Sequence, residues 1–208
     1  MLLNRQEDMH IHCNYNDHSD VDLTTLNIIR IAEEKNLKRI AITEHVRKSS
    51  DWTRKYLDEL NSQIPNARVK IIPGFEAKIL QNGEVDCPEE YLSNDFLIIA
   101  SFHTKYPKEQ WYSALVETIK NPYVNVIGHL APEIGFNLSD YEIEKLGDLL
   151  IANNKIVEIN SKYVRPPVHF IKIFKRQGVI FHLGSDAHSL KEIGDFNRIN
   201  HLINLIEE

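Results

Sequence analysis

The sequence predicts an α/β fold in which short apolar strands alternate with amphipathic helices along its 208 residues. Two observations predict it. Seven apolar, β-rich runs recur along the chain, and helical patterns lie between several of them. Strands separated by helices pair in parallel, with each helix crossing one face of the sheet. Because no Ser/Gly-rich linker or long charged tract divides the sequence, we expect one domain spanning residues 1–208.

The predicted strands are almost continuously apolar, which is typical of a sheet covered on both faces. In chain order they are a segment around Met9–His12 and the runs RIAIT, VKIIPGFEA, DFLIIAS, VNVIG, KIVEIN and VIFHLG. Helical patterns between them include LTTLNIIRIAEEKN, KEQWYSALVETIKN and SDYEIEKLGDLLIANN. The last pattern opens with Ser139 and has Glu142 three residues later, which is the signature of a capping box. Such a sheet is either a closed barrel or a doubly wound sheet.

Polar residues at the strand ends favour the barrel. In a parallel barrel the loops that follow the strands converge on one mouth, where the chemistry is carried. A doubly wound sheet instead gathers its ligands at one switch point and does not use nearly every strand end. Here nearly every predicted strand runs into such residues, and they are His10, His12, His45, Glu76, His103, His129, Asn160, Asp186 and His188.

The segment DMHIHCNYNDHSD, residues 8–20, is the densest part of this pattern. His10 and His12 are two residues apart on a strand, so their side chains point the same way, as two imidazole ligands of one metal would. His18 lies six residues further on, in a polar loop that could fold back over the barrel mouth. Asp8 is interpreted either as a carboxylate that orients one of these imidazoles or as an ordinary turn residue.

A single histidine at a strand end is more often structural than a metal ligand. Seven of the ten histidines, however, lie at or just beyond a strand end, with Glu76 and Asp186 at equivalent ends. Imidazole combined with carboxylate suits Zn²⁺, Fe²⁺ or Mn²⁺, whereas Mg²⁺ and Ca²⁺ prefer oxygen ligands throughout. The sequence therefore predicts a site for two to three divalent transition metals.

These motifs resemble those of the PHP (polymerase and histidinol phosphatase) family. The segments DMHIHCNYNDHS, ITEH, PGFEAKI, SFH, IGH and GSDAH occur in order over essentially the whole chain. The resemblance implies a distorted seven-stranded (βα)7 TIM-like barrel with a trinuclear metal centre. It implies one metal on His10, His12, Glu76 and Asp186, a second bridged by Glu76 to His103 and His129, and a third on His18, His45 and His188. Glu44, where many relatives have Asp, is not a ligand in this scheme.

Adjacent metals about 3.5–4 Å apart can share a hydroxide and hold the oxygens of an in-line displacement. We therefore expect phosphoester hydrolysis by metal-bound hydroxide, with Glu76 and Asp186 as the catalytic carboxylates. Phosphate binding calls for cations at the mouth, and the candidates by position are Arg47, Lys78, Lys162 and Arg165. Arg165 is preferred because its forked guanidinium matches phosphate oxygens. Asn160 stays open between contact with substrate and support of a ligand.

The predicted activity is hydrolysis of a phosphomonoester of a small metabolite, as in histidinol phosphatases, although this chain is shorter than is typical of them. A phosphodiesterase or exonuclease, a phosphotyrosine protein phosphatase, and a catalytically silent, metal-stabilised interaction module are the alternatives. The net charge of −6 argues against a nucleic-acid substrate, yet a small basic pocket is compatible with it. Lacking an apolar signal or membrane-spanning stretch, the protein is expected in the cytoplasm, with its oligomeric state open.

Overall fold

Seven parallel strands close into a barrel in the computed structural model, which describes residues 2–132 and 135–208. The strands are β1 (Glu7–Ile11), β2 (Arg39–Val46), β3 (Lys70–Lys78), β4 (Leu97–Ser101), β5 (Val126–Ile127), β6 (Ile156–Asn160) and β7 (Ile180–Gly184). They follow one another in sequence order, and each is parallel to the next. The barrel form of the α/β fold, predicted from the polar strand ends, is confirmed.

The seam between β1 and β7 is closed by backbone hydrogen bonds at the carboxyl ends of the two strands. The Asp186 N–H donates to the His10 carbonyl at 2.8 Å, and the His12 N–H donates to the Ala187 carbonyl at 3.1 Å. A parallel bridge between Ile11 and Ala187 joins the same stretch. The first and last strands therefore meet at the mouth of the barrel.

Asp8 stabilises this seam by accepting hydrogen bonds from backbone groups on both sides of it. Its buried carboxylate accepts hydrogen bonds from the backbone N–H groups of His10, Ser185 and Gly194, at 3.4, 2.9 and 2.7 Å. Both oxygens are engaged with backbone donors, so among the described residues Asp8 does not orient an imidazole. That part of the sequence interpretation is wrong, because the neighbouring backbone supplies nearer donors than the histidine rings do.

Helices cover the outside of the barrel. The described residues contain α1 (Thr25–Glu34), α2 (Thr53–Gln63), α3 (Lys108–Lys120), α4 (Asp140–Ala152), α5 (Val168–Gln177) and α6 (Asn200–Glu207). The predicted capping box begins α4: the Ser139 hydroxyl accepts from the Glu142 N–H at 3.3 Å, and the Glu142 carboxylate accepts from the Ser139 N–H at 2.7 Å. None of the helices in the described part of the chain is long and apolar enough to cross a membrane.

The apolar core lies between the strands and these helices. Its largest fully buried side chains include Tyr56 of α2, Trp111 of α3 and Phe170 and Phe174 of α5. Tyr56 satisfies its hydroxyl by donating to the Ile42 carbonyl at 2.7 Å, as buried polar groups must. Because the apolar side chains pack between the strands and the helices, the polar residues at the strand ends converge inside the barrel mouth.

Candidate metal centre

Glu76, near the end of β3, lies at the centre of the barrel mouth and is almost completely buried. Its Oε1 lies 3.0 Å from His129 Nε2 and 3.4 Å from His103 Nε2. Its Oε2 lies 2.8 Å from His45 Nδ1, a residue paired with Glu76 in the β2–β3 register. Histidines at or just beyond the ends of three different strands therefore converge on one carboxylate.

The two histidines at the end of β1 approach the same carboxylate. His10 Nε2 and His12 Nε2 are each 3.6 Å from Glu76 Oε2 and 3.1 Å from one another. Asp186 Oδ1 lies 3.2 Å from His12 Nε2 and 3.4 Å from His188 Nδ1. Imidazole nitrogens that face one another at such a distance converge on a common point, as ligands of a single ion do.

Burial and charge act in opposite directions on the buried members of this cluster. Burial raises the pKa of Glu76, yet the nearby His103 and His10 hold that pKa well below its usual range. Burial lowers the pKa of His12, but its hydrogen bond to Asp186 and a second carboxylate contact raise it to about 9. A metal ion that binds His12 must therefore displace a proton, which makes metal affinity depend on pH.

Two less deeply buried histidines, His45 and His188, behave in the opposite way. Burial, followed by the positive charge of His12, lowers the pKa of His45 and brings the pKa of His188 to about 4. Both rings are therefore neutral at pH 7 and can offer a nitrogen lone pair without losing a proton, which is the state that a metal requires.

The residues present fit a group of metal ions. Three sets of ligand atoms each lie within 4.8 Å of one another, and they are His10, His12 and Asp186; His45, Glu76 and His103; and His12, His45 and His188. Glu76 Oε2 is buried and has no hydrogen bond of acceptable geometry to any described residue. Since buried oxygens are normally bonded, this orphaned atom among imidazoles is placed as a cation ligand would be.

His18 stands apart from these sets. Its side chain is 67% exposed, its Nε2 pairs with Asp17 at 3.4 Å, and its ring centre is 6.3 Å from that of His45. Asn16 holds the loop, because its Oδ1 accepts from the His18 N–H at 2.7 Å and its amide donates to the buried Glu44. That His18 completes a third metal site remains a prediction.

Sequence reasoning did not single out Glu158, which lies inside the barrel on β6 and is fully buried. Its Oε1 accepts from His10 Nδ1 at 2.6 Å, and its Oε2 accepts from the His129 N–H at 2.7 Å. One signal in the sequence could have identified it: Glu158 lies within the otherwise apolar run KIVEIN, which forms a buried strand. A carboxylate is almost never buried in such a strand unless it is paired.

Asn160 supports carboxylates. Its Nδ2 donates to Glu158 Oε2 and to Asp186 Oδ2, both at 3.1 Å, and its Oδ1 accepts from the Tyr163 N–H at 2.8 Å. Since both amide atoms are engaged within the protein, the structure favours a supporting role over contact with substrate.

Glu44 lies next to the His12 ring, outside the cluster of candidate ligands. It accepts from the backbone N–H groups of Cys13 at 3.0 Å and His45 at 2.6 Å, and its Oε1 lies 3.5 Å from His12 Nδ1. Burial raises the pKa of Glu44, but the hydrogen bond and charge of His12 bring it down to about 2. The carboxylate is therefore ionised and can stabilise the orientation of the His12 ring.

A cavity of about 930 Å³ opens over the cluster, and Arg47, Lys78 and Lys162 line it. Lys162 comes closest to the centre, with Nζ 2.8 Å from His188 Nδ1 and 3.6 Å from Asp186 Oδ1. Arg165, preferred from the sequence, lines an adjoining cavity of about 390 Å³ that shares His103 and Tyr163 with the first. Cations therefore line both cavities that border the histidine cluster.

Comparison with known proteins places this geometry in a family. A model of the PHP domain matches residues 8–162. A protein of Acetivibrio thermocellus named "Probable phosphatase" is 34% identical over 151 residues, covering 67% of this chain and 61% of that protein. Another probable phosphatase, from Caldanaerobacter subterraneus subsp. tengcongensis, is 32% identical over 204 residues, covering 89% of this chain and 79% of that protein.

Among solved structures, the histidinol phosphate phosphatase of Lactococcus lactis subsp. lactis, complexed with zinc, L-histidinol and phosphate, is similar with a TM-score of 0.70. The sequence identity is 20%, and the alignment covers 98% of this chain and 93% of that one, so this likeness shows the fold. Together, the family model and the related sequences support a hydrolase of the phosphatase type. Since the family model matches well over half of the chain, the protein belongs to the PHP domain family.

Proposed function

We propose that this protein is a metal-dependent phosphatase that hydrolyses a phosphomonoester of a small metabolite. The observation that carries the proposal is the position of Glu76, a buried carboxylate approached by five histidines at the floor of an open, cation-lined cavity. The structurally similar Lactococcus protein was solved with zinc, L-histidinol and phosphate, which supports a small phosphorylated substrate of this kind.

The ligand sets support two to three divalent ions, with Mn²⁺, Fe²⁺ or Zn²⁺ as the species suited to imidazole and carboxylate. We assign His10, His12, Glu76 and Asp186 to one ion, and Glu76, His103 and His129 to a second. For the third we assign His45, His188 and His18, of which His18 is exposed in its loop and would have to move inward to bind. When bound, such ions supply an activated water and stabilise negative charge on the phosphoryl oxygens.

The protein's own side chains position the substrate. Lys162, which contacts His188 and lies near Asp186, and Arg165, from the adjoining cavity, are assigned to the phosphate because charged donors make its strongest hydrogen bonds. Tyr15 and Trp52, whose ring centres are 5.4 Å apart, line the larger cavity. They offer an apolar surface for the body of the leaving group.

A direct test combines metal analysis with a substrate panel. Protein reconstituted with Mn²⁺, Fe²⁺ or Zn²⁺ should carry two to three ions per chain. It should also hydrolyse phosphomonoesters, including histidinol phosphate, faster than a dinucleotide or a phosphotyrosine peptide. Fewer than two ions would contradict the assigned centre. Preference for the dinucleotide would favour the phosphodiesterase alternative, and fully loaded protein without hydrolysis would favour the silent interaction module.

The bridging role of Glu76 is tested by Glu76→Gln, which keeps the side-chain volume but removes the negative charge between two metal positions. We expect one ion to be lost and turnover to fall by at least about a hundredfold, the scale of losing one interaction with the transition state. Metal content, turnover and circular dichroism are measured on one sample, with the exposed Glu84→Gln as control. Near-normal turnover in folded Glu76→Gln would remove the bridge and the mechanism that depends on it.

A further inference from the structure

We infer that Glu158 is a positioning residue that holds His10 and His129 in ligand geometry from beneath the metal centre. The inference rests on the proposed metal centre but concerns a residue that is not itself assigned as a ligand. Glu158 lies inside the barrel on β6, one layer below the mouth, and its carboxylate is fully enclosed.

One oxygen of Glu158 sets the orientation of His10. The His10 Nδ1–H donates to Glu158 Oε1 at 2.6 Å, and neither side chain is exposed. A histidine whose one nitrogen donates to a carboxylate has its tautomer and ring orientation fixed, and its other nitrogen becomes a better ligand. That other nitrogen, His10 Nε2, is the atom that faces His12 Nε2 and Glu76 Oε2.

The other oxygen of Glu158 holds the backbone of His129. The His129 N–H donates to Oε2 at 2.7 Å, although the residue has a φ of +26°, outside the favoured regions for a residue with a side chain. In this conformation His129 Nε2 reaches Glu76 Oε1 at 3.0 Å. Because Asn160 Nδ2 donates to the same Glu158 oxygen and to Asp186 Oδ2, the network extends to a third assigned ligand.

One glycine leaves the space that this carboxylate occupies. A Cβ atom at Gly184 of β7 would overlap Glu158 Oε1 and come within 2.8 Å of His10 Cβ. The strand next to β6 is therefore bare where Glu158 extends toward His10. An ionised carboxylate is costly to bury unless it is fully hydrogen-bonded, and here the histidines and Asn160 bond both oxygens.

The test is Glu158→Gln, which preserves the volume and places an amide N–H₂ against a donor on His129, Asn160 or His10. Zinc affinity, measured by competition with a chromophoric chelator, should fall about 10- to 100-fold, as is usual when the partner of a ligating histidine is altered. Stoichiometry at saturating zinc should be retained. The matched control is Glu142→Gln, which makes the same chemical change in the first turn of α4. The Glu142 carboxylate bonds Ser139 and Lys108 and no assigned ligand, so zinc affinity should be unaltered.

A spectroscopic measurement separates positioning from general destabilisation. In protein labelled with ¹⁵N-histidine, the short hydrogen bond should give the His10 Nδ1 proton a strongly downfield, slowly exchanging resonance, with or without zinc. This resonance should shift upfield or disappear in Glu158→Gln. Its absence from the wild-type protein would overturn the inference, and so would an unchanged resonance and zinc affinity in folded Glu158→Gln.

Gly184→Ala provides a second route, because the new Cβ would displace the Glu158 carboxylate and press on His10, the ligand that it holds, while Glu158 and every assigned ligand stay in the sequence. It should lower zinc affinity in the same range, whereas Gly147→Ala on α4, whose new Cβ meets only the flexible end of Gln177, should not. Unaltered affinity in folded Gly184→Ala would contradict the inference. Wild-type protein that binds zinc but hydrolyses no phosphoester would overturn the proposed function alone, and wild-type protein that binds no zinc would overturn both.

Discussion

Two buried carboxylates of this protein, Asp8 and Glu76, differ in what their oxygens face. The oxygens of Asp8 face backbone N–H groups at the seam, and both are engaged. The oxygens of Glu76 face imidazole edges, and one of them has no hydrogen bond to a described residue. The first arrangement is complete within the protein, whereas the second offers unused lone pairs to a cation. Residue type alone does not separate the two roles, but the neighbouring atoms do.

At this scale we predict that Asp8→Asn destabilises the protein by about 1–3 kcal/mol, the cost of leaving a buried donor unsatisfied. The amide would turn an N–H₂ group toward the N–H of Ser185 or Gly194 at the barrel seam. Urea unfolding at neutral pH measures the effect, with the exposed Asp22→Asn as control. Equal midpoints for the two variants would show that the seam does not depend on this carboxylate.

A second prediction at residue scale concerns the phosphate. Arg165→Ala should raise the KM for phosphomonoesters roughly ten- to a hundredfold, because a charge-assisted hydrogen bond contributes about 1.5–3 kcal/mol, while metal content stays the same. Steady-state kinetics and metal analysis on one preparation provide the measurement, and Arg176→Ala on the exposed side of α5 is the control. An unchanged KM would leave Lys162 as the phosphate contact nearest the centre.

At the scale of elements, the sequence pattern was enough to predict the structure wherever the interactions that determine that structure are local. Apolar runs predicted all seven strands because burial on both faces requires them, and the capping box of α4 involves residues three apart. The conformation of the loop that carries His18 depends on a contact of Asn16 with Glu44, 28 residues away. The role of Glu158 depends on His10, 148 residues away. Neither partner can be identified from periodicity or spacing, because only the closed barrel brings them together.

An element-scale prediction follows for α4. Ser139→Ala removes the side-chain acceptor for the Glu142 N–H and should lower the free energy of unfolding by about 1 kcal/mol. Since the helix lies outside the barrel, metal content and turnover should stay at wild-type values. Chemical unfolding measures the loss against Ser113→Ala, an exposed position within α3. A loss of metal in Ser139→Ala would mean that helix and mouth are coupled more tightly than their separation suggests.

At the scale of the whole molecule, ligands from most strand ends make metal binding a force for global stability. Ions that bind only the folded barrel stabilise it by about 2.7 kcal/mol at a hundredfold excess over Kd. For a chain of this length, each kcal/mol raises Tm by about 2–4 °C. Calorimetry before and after chelation of the metal ions should show a corresponding decrease in Tm. The decrease should be smaller in Glu76→Gln. An identical Tm with and without chelator would contradict metal binding to the folded state.

The seam between β1 and β7 also determines when the metal centre can be completed during synthesis of the protein. His10 and Ser185, on opposite sides of that seam, are separated by 175 positions, which corresponds to roughly ten to thirty-five seconds of elongation at about 5–20 residues per second. Throughout that interval the first two histidines have been synthesised without the aspartate that they later face. A nascent chain therefore cannot acquire its full complement of ions early, and the ion assigned to Asp186 would bind only after the last strand arrives.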